Sequence, residues 1–126
     1  MNPRAVRFWR WALALSILVQ LLALYWPRPR LPAGPAGSDL VVHGLLFAAV
    51  AGSAVMAGLA MLPVVALLVC HAVLSEVIQH WVVPGRNGDP LDTLADLAGT
   101  AAGVVLAWSY RSRCGADRML GEDRLT

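Results

Sequence analysis

From Leu40 to Ser75 the chain runs for 36 residues without an Asp, Glu, Arg or Lys. A straight helix of that length would extend about 54 Å at about 1.5 Å per residue, against a hydrocarbon core of about 30 Å, so the run has to fold back on itself. Composition agrees, since 58% of the 126 residues are hydrophobic and 14% are charged, where soluble domains carry about 25% charge. A soluble helical bundle would need a polar face on every helix, and none can be drawn between Leu40 and Val69. The expected fold is all-α: a polytopic membrane protein forming a four-transmembrane-helix bundle, with residues 1–126 as one domain.

The first expected span covers about 8–26, entered by Arg4, Arg7 and Arg10 and bounded by Trp9, Trp11, Tyr25 and Trp26, which suit the two membrane interfaces. A cleavable signal peptide would share the basic start and the apolar run, but no small-residue cleavage site precedes YWPRPR. PRPRLPAGPAGSD, residues 27–39, cannot continue a helix and reads as an extended loop ending in an N-cap at Ser38 or Asp39. Spans at about 40–60 and 63–83 follow, joined by a tight hairpin near Gly58 to Pro63, with Pro63 in the first turn of the third. Asp89 and Pro90 form an N-cap and N1 pair opening the fourth span, about 91–110, and residues 111–126 read as a solvated cytoplasmic tail.

All ten basic residues are arginine. Arg4, Arg7 and Arg10 precede the first span and Arg111, Arg113 and Arg118 follow the last, against Arg28, Arg30 and Arg86 in the two opposite loops. The positive-inside rule then puts both termini on the cytoplasmic side of the membrane, which is expected to be a bacterial plasma membrane. A net charge of +2 carries little information about partners, and nothing in the chain suggests nucleic acid. Cys70 in mid-span and Cys114 after the last span should lie at different depths, so a disulfide is not expected.

With four antiparallel spans, the start of the second, the end of the third and the start of the fourth meet at one membrane face, expected to be the outer one. Asp39, His43, Glu76, His80, Arg86, Asp89, Asp92 and Asp96 therefore share a layer. Asp39 and His43, Glu76 and His80, and Asp92 and Asp96 are each four apart, and Glu76 and Gln79 three apart, so each set lies on one helix face. Ionisable groups inside spans are costly unless they turn inward and pair, which makes an outward-opening polar pocket the default expectation. Its candidate ligand-binding residues are His43, Glu76, Gln79, Arg86, Asp92 and Asp96, and its candidate catalytic residues Glu76, His80 and Asp92. Each has a plainer reading. Asp89 and Asp39 suit helix caps, Arg86 a structural salt bridge to Asp89 or Glu76, His43 and His80 satisfied packing, and His71 a lone histidine bonded to a neighbour. Gly99 and Gly103, with Ala95 one turn earlier, suit close helix contact, within the chain or in an oligomer. SEVIQH lacks the two-histidine zinc-protease pattern, and Ser75 lacks a nucleophile elbow and points away from Glu76.

Five carboxylates, Asp39, Glu76, Asp89, Asp92 and Asp96, face one fixed positive charge, Arg86, with His43 and His80 able to add two more. They cannot all stay ionised and unpaired beside a low-dielectric medium. Protonation together with an Arg86–carboxylate pair is the expected resolution, with no cofactor and no metal. A bound divalent cation is the alternative, with Glu76, His80 and Asp92 as its first ligands.

Over roughly residues 38–106 the chain resembles the VanZ-like family of small membrane proteins, named for a protein associated with resistance to the glycopeptide teicoplanin. The resemblance rests on Asp39, His43 and Phe47 as D-x-x-x-H-x-x-x-F, Glu76 and Gln79 as E-x-x-Q, then Pro84, Arg86, Asp92, Gly99 and Gly103. Where the family pattern has Asn, four residues after the Asp that opens the last helix, this chain has Asp96. The resemblance implies a role in the cell envelope: the pocket would take the polar head of an envelope lipid, a lipid-linked precursor or a glycopeptide-like molecule. An enzymatic version would use Glu76 or a histidine as general base and Arg86 to hold an anionic group. A non-catalytic accessory or scaffold subunit, and a proton- or ion-coupled carrier, are the alternative classes. The lack of polar residues through the inner halves of the second and third spans, His71 apart, speaks against the carrier.

Overall fold

The first helix starts where its sequence supplies both a cap and a preset backbone. The Asn2 side chain accepts the Arg4 N–H at 2.9 Å and Pro3 stands at the first position, opening α1 (Pro3–Tyr25). The computed structural model describes residues 2–27, 37–86 and 88–122, the last eight of these as backbone only. The extended loop expected at 27–39 therefore lies, from 28 to 36, outside the described residues.

The second helix, α2 (Ser38–Met56), opens from Gly37 at φ 80° with no side-chain cap. Ser38 and Asp39, expected as caps, instead occupy the first turn, where the Asp39 carboxylate complements the helix dipole. The helix ends four residues before the expected boundary, because Gly58 takes φ 93°. Its N–H bonds to the Val55 carbonyl and the Leu59 N–H to that of Ala54, both at 3.1 Å, closing the last turn. The hairpin leads into α3 (Met61–Trp81), with Pro63 in its first turn as expected. The N–H groups of Val82 and Val83 both reach the Ile78 carbonyl, and Gly85 at φ 79° turns the chain away. Asp89 caps α4 (Pro90–Glu122) by accepting the Leu91 N–H at 2.9 Å.

Expected to stop near Tyr110, α4 continues to Glu122, so the stretch read as a solvated tail is helical as far as it is described. Helix propagation depends on backbone bonding and propensity, not on the end of an apolar run. Arg111 contributes here by donating to the Val55 carbonyl at 2.8 Å, which fixes this part of α4 to the C-terminal end of α2.

All four helices are long and apolar enough to cross a membrane. They count 23, 19, 21 and 25 residues, taking α4 to Cys114, or about 29–38 Å of helix. Their outer surface is apolar, with Leu62 81%, Trp81 79% and Trp11 73% exposed. The interior is built from Leu24, Phe47, Val50, Ala51, Ala54, Leu68 and Ala72, with a second cluster of Val55, Met56 and Ala107.

The helices alternate in direction, and the most extensive pairing joins the parallel α2 and α4. Gly99 permits it: a β-carbon there would sit 2.8 Å from the Gly44 Cα and closer still to the Gly44 carbonyl oxygen. At Gly103 a β-carbon would sit 2.9 Å from the Ala48 Cα. The small-residue stripe that the sequence offered to another helix, including one from a second chain, is thus taken up by α2 of the same chain.

Candidate functional site

One end of the bundle gathers the expected polar residues from α2, α3 and α4, about one to two turns in from the helix ends. His43 on α2 is 2% exposed and lies between two carboxylates of α4. Its Nδ1 is 3.1 Å from Asp96 Oδ1, and its Nε2 is 3.7 Å from Asp92 Oδ2. Asp92 and Asp96 share a face of α4, so one imidazole meets both. Asp96 is fully buried, and its Oδ2 has no hydrogen-bond partner among the described residues. Its backbone carbonyl accepts the Thr100 hydroxyl at 2.9 Å, a bond internal to α4.

Glu76 enters from α3. Its Oε2 accepts the Asp89 backbone N–H at 2.6 Å, joining α3 to the cap of α4, while Oε1 is buried without a hydrogen-bond partner among the described residues. Gly88 makes this approach feasible, because a β-carbon there would lie 2.7 Å from the Glu76 carbonyl oxygen. His43, Glu76 and Asp92 each offer one donor atom, and these atoms lie within 4.8 Å of one another. This mixed nitrogen and oxygen set, rather than the expected Glu76, His80 and Asp92, is the group that could hold a metal ion.

The remaining expected residues fall around this centre. Gln79 is 1% exposed, with its Nε2 lacking a partner among the described residues. Arg86 donates to the Ala23 carbonyl of α1, so it ties the loop after α3 to the first helix. Asp39 is exposed in the first turn of α2, and Asp89 serves as the cap. His80 is exposed and set edge-on against Trp81, with ring centroids 5.0 Å apart. It lies outside the His43 cluster because the inward stripe of α3 runs through Val64, Leu68, Ala72, Ser75 and Gln79, which turns His80 to the flank. Ser75 lies on that stripe, fully buried, and donates to the Ala72 carbonyl at 2.9 Å.

His71 has the plainer role that the sequence allowed. The Tyr25 hydroxyl lies 3.0 Å from its Nε2, and its ring stacks on Phe47 at 5.4 Å between centroids. Sequence reasoning placed Tyr25 only as an interfacial aromatic and passed over Gln20, which is 2% exposed in α1. A signal for Gln20 existed, since it is the one amide in the first span and stands within an apolar run, residues 17–24.

A cleft of about 290 Å³ opens beside Glu76, walled mainly by apolar groups of Val73, Val77, Trp81, Gly88 and Pro90, with Glu76, His80 and Thr93 as its polar members. A larger cavity of about 670 Å³ lies toward the other end, among Trp9, Leu45, Gly52, Met56, Gly103 and Tyr110. Apart from Gly103 it contains none of the expected residues, and its lining suits an apolar occupant. Comparison of the chain with protein families, curated proteins and solved structures found no match to any of them.

Proposed function

We propose that this chain is a multi-pass integral membrane protein of the VanZ-like type, with both termini in the cytoplasm of a bacterial plasma membrane. Its polar site opens to the outer face and binds the head of an amphiphilic envelope molecule, a lipid, a lipid-linked precursor or a glycopeptide-like compound. A single observation carries this reading: the cleft at Glu76 sets a few polar side chains, Glu76, His80 and Thr93, into an apolar wall that continues onto an apolar outer surface. An amphiphile matches that arrangement. Its head would meet Glu76, His80 and Thr93, and its chains would run along Val73, Val77 and Trp81 without leaving hydrocarbon. Antibiotic resistance of the teicoplanin kind is the role the sequence resemblance adds.

A scaffold reading has its own support. Asp96 with His43 joins α4 to α2, Glu76 with the Asp89 N–H joins α3 to α4, and Arg86 with the Ala23 carbonyl joins the α3–α4 loop to α1. Such a set could serve only to hold the bundle together. The carrier reading gains nothing, since the described core clusters are apolar and the buried hydroxyls of Ser53, Ser75 and Thr100 bond to carbonyls of their own helices.

Native mass spectrometry of the purified protein separates the first two readings. A specific co-purifying headgroup lost in the isosteric Glu76→Gln variant, with the melting temperature preserved, supports binding. No retained lipid, or loss of folding alone in the variant, favours the scaffold.

A further inference from the structure

The geometry points to a divalent cation site at His43, Glu76 and Asp92, with Asp96 behind it as the residue that orients the histidine. We propose that it takes one Zn²⁺-class ion, and this goes beyond the headgroup reading, on which it does not depend. It also departs from the sequence expectation that protonation together with an Arg86–carboxylate pair resolves the charge.

The donors come from three different helices, α2, α3 and α4, and their atoms lie within 4.8 Å of one another. His43 Nε2 and Asp92 Oδ2 are 3.7 Å apart. Two ligands of a tetrahedral zinc are separated by about 3.4 Å, from metal–ligand distances of about 2.0–2.1 Å. An octahedral Mg²⁺ would need adjacent ligands about 2.9 Å apart. The 3.7 Å spacing is too wide for Mg²⁺, and the imidazole nitrogen favours the zinc-like ion over Ca²⁺, which prefers an all-oxygen shell.

The second, independent observation is Asp96. It is fully buried, its Oδ1 lies 3.1 Å from His43 Nδ1, and its Oδ2 has no hydrogen-bond partner among the described residues. A carboxylate at Nδ1 holds the proton on that nitrogen and leaves the Nε2 lone pair on the Asp92 side. This is the carboxylate–histidine arrangement that supports metal ligation. Glu76 presents a buried Oε1 without a described partner while Oε2 is held by the Asp89 N–H, so one oxygen positions the carboxylate and the other is left to coordinate. Three protein ligands leave a fourth position for water or an anionic oxygen.

The full chain, carrying Cys70→Ser and Cys114→Ser to remove thiol ligands, would be purified in detergent, stripped with chelator and titrated with Zn²⁺ in competition with a chromophoric chelator. Co²⁺ would serve as the spectroscopic probe. The expected result is one Zn²⁺ per chain, displacement of Co²⁺ with loss of its visible absorption, and much weaker binding of Mg²⁺ and Ca²⁺. Asp92→Asn, which is nearly isosteric and only part-buried, should lower zinc affinity by at least about 10-fold, and Asp96→Asn by about 10–100-fold. Absence of stoichiometric Zn²⁺ in the parent protein would overturn the proposal and leave a protonated His43 between the two aspartates. Undiminished binding in both Asp variants would overturn it equally. Phospholipid retained at the same level by stripped protein would leave the headgroup reading standing without a metal role, whereas zinc bound with no headgroup enrichment would reverse that outcome.

Discussion

His43 Nδ1 lies 3.1 Å from Asp96 Oδ1 with both side chains buried, so the parallel helices α2 and α4 are joined by a polar contact inside an otherwise apolar interface. Removing either partner strands the other. His43→Ala leaves a buried carboxylate with neither oxygen bonded to the imidazole, at a cost of about 3–5 kcal/mol, whereas Asp96→Asn retains a neutral acceptor and should cost about 1–3 kcal/mol. Denaturation in mixed micelles would measure both. The double variant should be less destabilised than the sum of the singles, giving a coupling of about 0.5–3 kcal/mol.

Gly99 has no room for a side chain, because the Gly44 backbone occupies the position of its β-carbon. Gly99→Ala should lower stability by about 1–3 kcal/mol, the usual range for overpacking, and Gly99→Leu by more. Ala102 lies on the exposed face of the same helix, so Ala102→Leu should leave the melting temperature unchanged in detergent. Equal effects at the two positions would contradict the close approach of α2 and α4.

Arg86 secures α1 by donating to the Ala23 carbonyl. Arg86→Ala should cost about 1.5–3 kcal/mol, the range for a hydrogen bond from a charged donor. Arg86→Lys should recover only part of this, since an ammonium lacks the planar, multi-donor guanidinium. Protease accessibility of α1 provides a second readout, with faster cleavage expected in the alanine variant.

The proposed orientation can be read by chemical labelling. Pro84 follows α3 at the end of the bundle that holds the polar site, and Ser112 lies on α4 at the other end. In a background lacking Cys70 and Cys114, Pro84→Cys should react with a membrane-impermeant thiol reagent in intact cells and Ser112→Cys only after lysis. The opposite pattern would place the polar site on the cytoplasmic side.

The helices and their joints were legible in the sequence where local chemistry is decisive. Asp89 and Pro90 announce a helix start, Gly58 and Pro63 a hairpin, and Gly99 and Gly103 a close contact, because each depends on its own backbone or on the absence of a side chain. Helical spacing also brought His43, Asp92, Asp96 and Glu76 to one end. It failed at His80, which shares the four-residue spacing with Glu76 but sits one step off the inward stripe of α3. Helix rotation depends on all the neighbours at once, and a local pattern does not encode it. The contributions of Gln20, Tyr25 and the Ala23 carbonyl depend on how far α1 slides along α3, which is a tertiary property. Helix ends were missed where an apolar run was taken as the measure, as at Met56 and beyond Tyr110.

The pairing of α2 with α4 also sets a timetable for biogenesis. Asp96 is synthesised 53 residues after His43, a delay of several seconds at about 5–20 residues per second. Through most of that interval His43 lies in a chain that has neither aspartate of α4 to meet it. A chain cut short before Asp92 therefore leaves His43 without either carboxylate partner, and the polar contact is completed only once α4 has been made.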